Sequence, residues 1–155
     1  ADDGDQRMTE RVLQHEIVVP ATAEEVWTAW TTSEGAQQFF APRARIEARP
    51  GGAFELYFDD DAPEGQRGSE GCTLLELEPN SRLVFTWNFP PTLPSIRDAH
   101  TVVTVDLAPL DGGETRVTLT QRGWREGADW DEGYAYFDRA WSIVLEQLRQ
   151  HFAEE

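Results

Sequence analysis

Residues 133–155, GYAYFDRAWSIVLEQLRQHFAEE, decide the fold that we predict for this chain. Large apolar side chains recur there at helical spacing, at Tyr134, Phe137, Trp141, Val144, Leu145, Leu148 and Phe152. This spacing puts them on one face of an α-helix of about five turns. Because that face is rich in aromatic rings, we expect the helix to lie across a large apolar surface.

The stretch between residues 43 and 121 is dominated by strand patterns. Apolar and polar residues alternate there; Leu83, Phe85 and Trp87, for example, share one face. With one earlier strand, we predict strands at residues 11–19, 43–48, 53–58, 69–78, 82–89, 99–107 and 115–121. A curved antiparallel sheet of about seven strands around a long C-terminal helix is an α+β architecture.

Two short helices are predicted between the first and second strands. Thr22 and Glu25 match a capping box, in which each side chain caps a backbone N–H of the other residue, and the first helix then runs to about Thr31. Ser33 is the predicted cap of a second helix over residues 34–40. Residues 1–10 are expected to be a disordered extension or a tag remnant, and residues 11–155 a single domain.

The charge of the chain excludes several classes of partner. The net charge is −16, and all 13 basic residues are arginine. Phosphate backbones and anionic membrane surfaces repel such a chain, so we predict no nucleic-acid and no membrane partner. The one cysteine, Cys72, can form no disulfide within the chain, and we therefore expect a cytoplasmic protein.

Four stretches of the sequence resemble a known family. They are residues 17–27 (IVVPATAEEVW), residues 49–54 (RPGGAF), residues 71–87, and Trp141 with the helix that follows it. On these stretches, residues 12–152 resemble the START/SRPBCC superfamily, which has the Bet v 1-like helix-grip fold, and within it the activator of Hsp90 ATPase homologue 1-like family. The resemblance implies a cavity for hydrophobic ligands or, in one branch, a co-chaperone role. The usual Gly-Trp pair of the last helix is Ala140-Trp141 here.

The aromatic residues provide the candidate ligand site. They can line a cavity between the C-terminal helix and the sheet, or they can simply pack as core. We predict that a small hydrophobic or aromatic molecule binds there, entering past residues 90–98 and 123–132. The candidate ligand-binding residues are Trp27, Trp30, Phe40, Phe54, Tyr57, Trp87, Phe89, His100, Tyr134, Phe137 and Trp141. Among them, Tyr57, His100 and Tyr134 are the expected polar groups.

Other functions have weaker support in the sequence. A co-chaperone-like interaction module is the main alternative, although the best-known form of that branch carries a further N-terminal domain. A cyclase- or hydrolase-type enzyme is a third possibility, with His100, Tyr57 or Glu55 as acid or base. The three histidines lack the spacing of a zinc site, so we predict no metal ligand. We also predict no cofactor and assign no catalytic residue. Either a monomer or a homodimer is compatible with the sequence.

Overall fold

The structure is a computed structural model that describes residues 9–59 and 61–153. Most of the predicted N-terminal extension, residues 1–8, lies outside the described residues. Thr9, within that predicted extension, is bound to the domain: its backbone N–H and its hydroxyl both donate to the carbonyl of Trp124, over 2.8 and 3.1 Å. No helix in the described part of the chain is long and apolar enough to cross a membrane.

Seven strands and three α-helices make up the described chain. In order they are β1 (Leu13–Val19), α1 (Ala23–Thr31), α2 (Ser33–Ala36), β2 (Arg43–Ile46), β3 (Phe54–Tyr57), β4 (Leu74–Glu78), β5 (Arg82–Trp87), β6 (Thr101–Leu110), β7 (Glu114–Arg122) and α3 (Ala128–Ala153). A single turn of 3-10 helix, Pro94–Ile96, lies between β5 and β6.

The strands form a curved antiparallel surface. Five of them pair in the order β1-β7-β6-β5-β4, and β2 pairs with β3 in a hairpin. Backbone hydrogen bonds join this hairpin to the start of β4: Phe54 N–H donates to the Cys72 carbonyl and Leu74 N–H to the Gly52 carbonyl, both over 2.9 Å. The predicted seven-stranded sheet and helix-grip architecture are confirmed.

Helix α3 packs its aromatic face against the sheet, as the helical spacing predicts. Phe137, Trp141, Leu145 and Leu148 are all buried and belong to one continuous apolar core with the inward side chains of β5, β6 and β7. These side chains are shielded from solvent because the curved sheet wraps around this face of the helix. The apolar area removed from water here drives the association of helix and sheet.

The start of α3 differs from the prediction. The sequence predicts a loop over residues 123–132, whereas the helix already begins at Ala128. The carbonyl of Gly127 accepts the N–H of Asp131 over 2.9 Å, and Asp129 and Asp131 place negative charge in the first turn, where the helix dipole favours it. Trp130, one turn before Tyr134, extends the buried face and is 2% exposed.

The short helices confirm one predicted cap and correct the other. Thr22 and Glu25 form the capping box at the start of α1. The cap of α2 is Thr32, whose hydroxyl accepts the N–H of Gly35 over 2.9 Å, and the helix ends at Ala36 rather than near residue 40. Ser33, the predicted cap, instead accepts the N–H of Ile46 over 3.1 Å and so ties α2 to β2.

The fourth strand is shorter than predicted. It begins at Leu74 instead of residue 69, because Gly71 has a φ of 88° and the chain turns there. Ser69 anchors this turn against β3: its hydroxyl accepts the N–H of Leu56 over 2.8 Å and donates to the carbonyl of Phe54 over 3.1 Å. The loop before this turn, residues 58–68 with Asp60 outside the described residues, is joined to the end of β5 by a hydrogen bond from Nδ2 of Asn88 to the carbonyl of Gly68 over 3.3 Å.

Candidate functional site

A cleft of about 570 Å³ opens between α3 and two loops. One loop is residues 58–68, between β3 and β4, and the other is residues 88–97, between β5 and β6. We call this space the aromatic cleft. Its floor is made by Phe40, Trp87, Phe89, Phe137, Trp141 and Val144. All six side chains belong to the buried core, so the cleft is a hollow in the core that reaches the surface.

The floor is a packed group of rings. The ring of Trp141 lies 5.3 Å from that of Trp87 and 5.7 Å from that of Phe40, and it stacks on Phe137 at 6.1 Å, measured between centroids. Offset and edge-to-face arrangements at these distances are favourable. Strand and helix periodicity explain the set, because Trp87 is an inward residue of β5 and Phe137 and Trp141 are one turn apart on α3.

A buried glutamine holds this floor in place. Oε1 of Gln121 accepts the indole N–H of Trp141 over 2.8 Å, and its Nε2 donates to the hydroxyl of Thr101 over 2.8 Å. The carbonyl of Gln121 accepts the indole N–H of Trp124 over 2.9 Å. Gln121 was not among the predicted site residues, although its inward position in the alternation Val117, Leu119, Gln121 was a usable signal.

The mouth of the cleft exposes apolar side chains. Phe58 is 46% exposed, Tyr136 43% and Ile143 49%, and all three line the opening. Scattered apolar residues are normal on a protein surface, whereas these three are grouped around one concave opening. None of the three was among the predicted ligand-binding residues. Tyr136 and Ile143 flank the buried face of α3, whereas Phe58 continues the two-residue spacing of the inward residues Phe54 and Leu56, which was a usable signal.

Glu70 and Arg97 join the two loops that border the cleft. The carboxylate of Glu70 accepts the backbone N–H groups of Gly65, Arg67 and Gly68 over 2.8–3.0 Å. Arg97 donates to the carbonyls of Phe89 and Gly65 over 2.5 and 2.6 Å and to Glu70 over 3.3 Å. Burial acts to raise the pKa of Glu70, but the backbone hydrogen bonds outweigh it and hold the pKa below its ordinary value.

Comparison with known proteins decides the family. The family described as "Activator of Hsp90 ATPase homolog 1-like protein" matches residues 20–153, nearly the whole chain. This chain belongs to that family. The sequence matches no curated protein.

Solved structures share the fold of this family member. Protein MLL2253 from Mesorhizobium loti is 24% identical, with 93% of this chain and 98% of that chain covered and a TM-score of 0.74. The Aha1 dimer from Colwellia psychrerythraea is 20% identical, with 92% and 96% covered and a TM-score of 0.69. DynU16, a protein in the dynemicin biosynthetic locus, is 20% identical, with 92% of this chain and 47% of that chain covered and a TM-score of 0.67.

Five of the eleven predicted ligand-binding residues line the aromatic cleft. They are Phe40, Trp87, Phe89, Phe137 and Trp141. Trp30 and Phe54 are buried in the core behind the floor. Their ring centroids lie 5.5 and 6.4 Å, respectively, from that of Phe40. Trp27 packs against the core from α1 and does not reach the cleft.

The three predicted polar groups do not line the cleft. Tyr57 alternates with the inward residues of β3, and its hydroxyl donates to Glu55 over 2.5 Å. Burial and the neighbouring Glu55 raise the pKa of Tyr57 to about 12. His100 lies ahead of β6, away from the lining. Tyr134 donates to the carbonyl of Val12 over 3.2 Å and therefore supports β1.

One of the two predicted entrances is filled. Residues 123–132 were expected to admit a ligand, but Trp124 and Trp130 from this segment pack around Phe89, with centroids at 6.0 and 5.0 Å. Both indoles are almost completely buried. The other predicted entrance, residues 90–98, overlaps the loop that borders the cleft, while the loop of residues 58–68 was not foreseen.

The described residues in and around the cleft carry few reactive or polar groups. In the described part of the chain no group of three His, Cys, Asp or Glu side chains is placed to hold a metal ion. Cys72 is buried in the core, and burial raises the pKa of its thiol to about 12, which favours the protonated form. The polar groups that do reach the lining include Gln66, Arg67, Asn88 and Arg97.

Proposed function

We propose that this protein binds a small hydrophobic or aromatic molecule in the aromatic cleft. The observation that carries the proposal is the floor of stacked rings beneath a cavity of about 570 Å³. Cavities of roughly 300–1,000 Å³ with an apolar lining and a few polar groups are typical of small-molecule sites. An aromatic ligand would stack against Trp87 and Trp141 and cover the exposed mouth residues.

The floor is already organised for binding. The indole N–H of Trp141 is bonded to Gln121, so the ring presents its apolar surface without leaving a donor unpaired. The loops at the mouth are held by Glu70 and Arg97, so binding requires little ordering of the chain. The candidate acid or base groups do not line the cleft; they are Glu55, Tyr57 and His100. We therefore propose binding without a reaction.

A protein partner is the second candidate. The exposed side chains of Phe58, Tyr136 and Ile143 at the mouth also suit an apolar segment of another protein. The family's description names the activation of the Hsp90 ATPase, and a chaperone is therefore the partner to test. The relative from Colwellia psychrerythraea was solved as a dimer, and a homodimer of this chain is part of the same test. We expect these interactions in the cytoplasm, as the single cysteine suggests.

The decisive experiment combines native mass spectrometry with tryptophan fluorescence. We expect the purified protein to retain or bind apolar aromatic compounds and its fluorescence to be quenched, because Trp87 and Trp141 lie at the floor. Ala140→Phe would fill the cleft from α3 and abolish binding. Ala135→Phe, on the exposed side of the same helix, is the matched control and would leave binding unchanged.

Two results would separate the candidates. Loss of ligand binding in Ala140→Phe but not in Ala135→Phe supports the cleft as the site. If no compound in the panel binds, or if both variants bind equally, the small-molecule proposal is wrong. An increase in the ATPase rate of Hsp90 that is lost on Ile143→Asp would then favour the chaperone partner.

A further inference from the structure

Two arginines lie at the mouth of the aromatic cleft, although the chain as a whole is strongly acidic. Two arginines, Arg67 and Arg97, and one carboxylate, Asp59, are among the described residues that line it. The chain as a whole carries 29 acidic and 13 basic residues. Because Glu70 and Asp59 offset two positive charges here, an anionic ligand would be selected by direct contact with a guanidinium rather than by the net charge of the opening.

The guanidinium of Arg97 is fully engaged by contacts within the protein. Its two terminal nitrogens donate to the carbonyls of Phe89 and Gly65 and to the carboxylate of Glu70. The side chain is only 12% exposed, so it serves as the internal tie between the two loops. Its charge is balanced by Glu70 at 3.3 Å. The arginine that remains for a ligand is Arg67.

Arg67 is held in place but is not saturated. Its backbone N–H donates to Glu70 over 3.0 Å, and its carbonyl accepts the N–H groups of Phe58 and Asp59 over 2.7 and 3.1 Å. Its Nε donates to the carbonyl of Ala62 over 2.9 Å. Among the described residues, no hydrogen-bond or ion-pair partner occupies its two terminal nitrogens. The backbone of Arg67 and the Nε edge of its guanidinium are therefore fixed, while the two terminal nitrogens remain as donors for a ligand.

We propose that the ligand of the aromatic cleft is an amphipathic acid, with an aromatic or aliphatic body on the ring floor and a carboxylate or sulfonate bound by Arg67. The inference rests on the proposed function and deepens it by specifying the class of ligand. Two parallel N–H donors of a guanidinium match the two oxygens of such a group, and a charge-assisted pair is stronger than a neutral hydrogen bond. A partly buried guanidinium that is already oriented loses little freedom on binding.

The test uses two fluorescent probes that share one aromatic skeleton. Anilinonaphthalene sulfonate carries an anionic group, and phenylnaphthylamine is its uncharged parent. We expect the wild-type chain to bind both and to bind the sulfonate more tightly. Arg67→Gln should weaken sulfonate binding about five- to tenfold and leave the neutral probe unchanged. Raising the salt concentration should weaken only the sulfonate.

Matched variants separate the local effect from general charge. Arg139→Gln removes one positive charge from an exposed position on α3 outside the cleft, and it should leave both probes unchanged. Arg67→Lys keeps the charge without the fork and should retain part of the preference for the sulfonate. Thermal unfolding followed by circular dichroism checks that the Arg67 variants keep the fold.

The outcomes distinguish this inference from the proposed function. If both probes bind in the cleft, as shown by their loss in Ala140→Phe, but Arg67→Gln does not change their ratio, the acid-binding inference is overturned and the apolar site stands. If neither probe binds, or if Ala140→Phe has no effect on either, both proposals fail. Loss of sulfonate preference in Arg67→Gln alone supports the inference.

Discussion

The indole N–H of Trp141 on α3 donates to Oε1 of Gln121 on β7 over 2.8 Å. The same amide donates through Nε2 to the hydroxyl of Thr101, which in turn donates to the carbonyl of Trp87 over 3.2 Å. All four residues are buried, so this chain of hydrogen bonds connects the helix to β7, β6 and β5 out of contact with water. Both the oxygen and the nitrogen of the amide have partners, so these hydrogen bonds offset the cost of burying it while it fixes the orientation of the cleft floor.

Replacing Gln121 by leucine should destabilise the protein by about 1–3 kcal/mol, although leucine fits the space. The substitution leaves the indole N–H of Trp141 buried without an acceptor. Urea unfolding would measure the loss. Gln14→Leu, at an exposed position on β1, is the control and should change the stability by less than about 0.5 kcal/mol. Equal effects of the two substitutions would show that the buried amide contributes nothing specific.

Trp141 itself should be among the most sensitive positions. Its ring is 1% exposed and packs against Trp87, Phe40 and Phe137, so Trp141→Ala should cost about 3–5 kcal/mol of unfolding free energy. Tyr136→Ala, on the same helix but 43% exposed, should cost under about 1 kcal/mol. A loss below about 1 kcal/mol for Trp141 would mean that its ring faces water in an open cleft.

The fold could be predicted from the sequence because its main signals are local and repeated. The helical spacing of the aromatic residues predicts α3 and its buried face, and the alternation in β5 predicts the inward side chains of Leu83, Phe85 and Trp87. The capping box at Thr22 predicts the start of α1. Each of these features depends on residues within a few positions of one another, and tertiary packing did not override them.

The cleft could be predicted only in part, because its borders depend on contacts between distant residues. That Trp124 and Trp130 fill one predicted entrance follows from their packing around Phe89, more than 30 positions earlier in the chain. That Tyr57 is turned away from the cleft follows from its strand facing, which the alternation of β3 already indicated. The role of Glu70 arises from a loop whose conformation no periodic pattern specifies.

At Gly133 we expect a Gly→Ala substitution to destabilise the protein, which is opposite to its usual effect inside a helix. Gly→Ala in a helix interior normally stabilises by roughly 0.5–1 kcal/mol. Here a Cβ would lie 2.6 Å from Cε2 of Phe89, so this ring, which packs against Trp124, Trp130 and Phe137, would have to shift. Gly133→Ala should therefore destabilise by about 1–3 kcal/mol in thermal or urea unfolding.

A double substitution tests the cause of that loss. Phe89→Leu removes the ring atoms that the new Cβ would meet, so Gly133→Ala should cost less in the Phe89→Leu background than in the wild type. A double-mutant cycle measures this coupling. Additive effects of the two substitutions would mean that the close approach of Gly133 and Phe89 does not limit the packing of α3.

Glu70 should make the loop of residues 58–68 sensitive to acid. Burial raises the pKa of this carboxyl, but the N–H groups of Arg67, Gly68 and Gly65 lower it more, so the folded value lies below the ordinary 4.5. A carboxyl whose pKa is depressed by folding stabilises the folded state above its unfolded pKa, and this contribution is lost as the pH falls through the folded value. The loop should therefore be unchanged from neutral pH to about pH 5 and should open only at lower pH.

The amide signals of Gly65 and Gly68 in nuclear magnetic resonance spectra would report this transition directly, because both N–H groups donate to the Glu70 carboxylate. In Glu70→Gln the two amides should lose protection from hydrogen exchange already at neutral pH, since a neutral amide is a weaker acceptor than a carboxylate. Glu64→Gln, an exposed neighbour in the same loop, should leave them protected. If the two amides keep their protection in Glu70→Gln, the loop is held by other contacts, and the cleft mouth does not depend on this carboxylate.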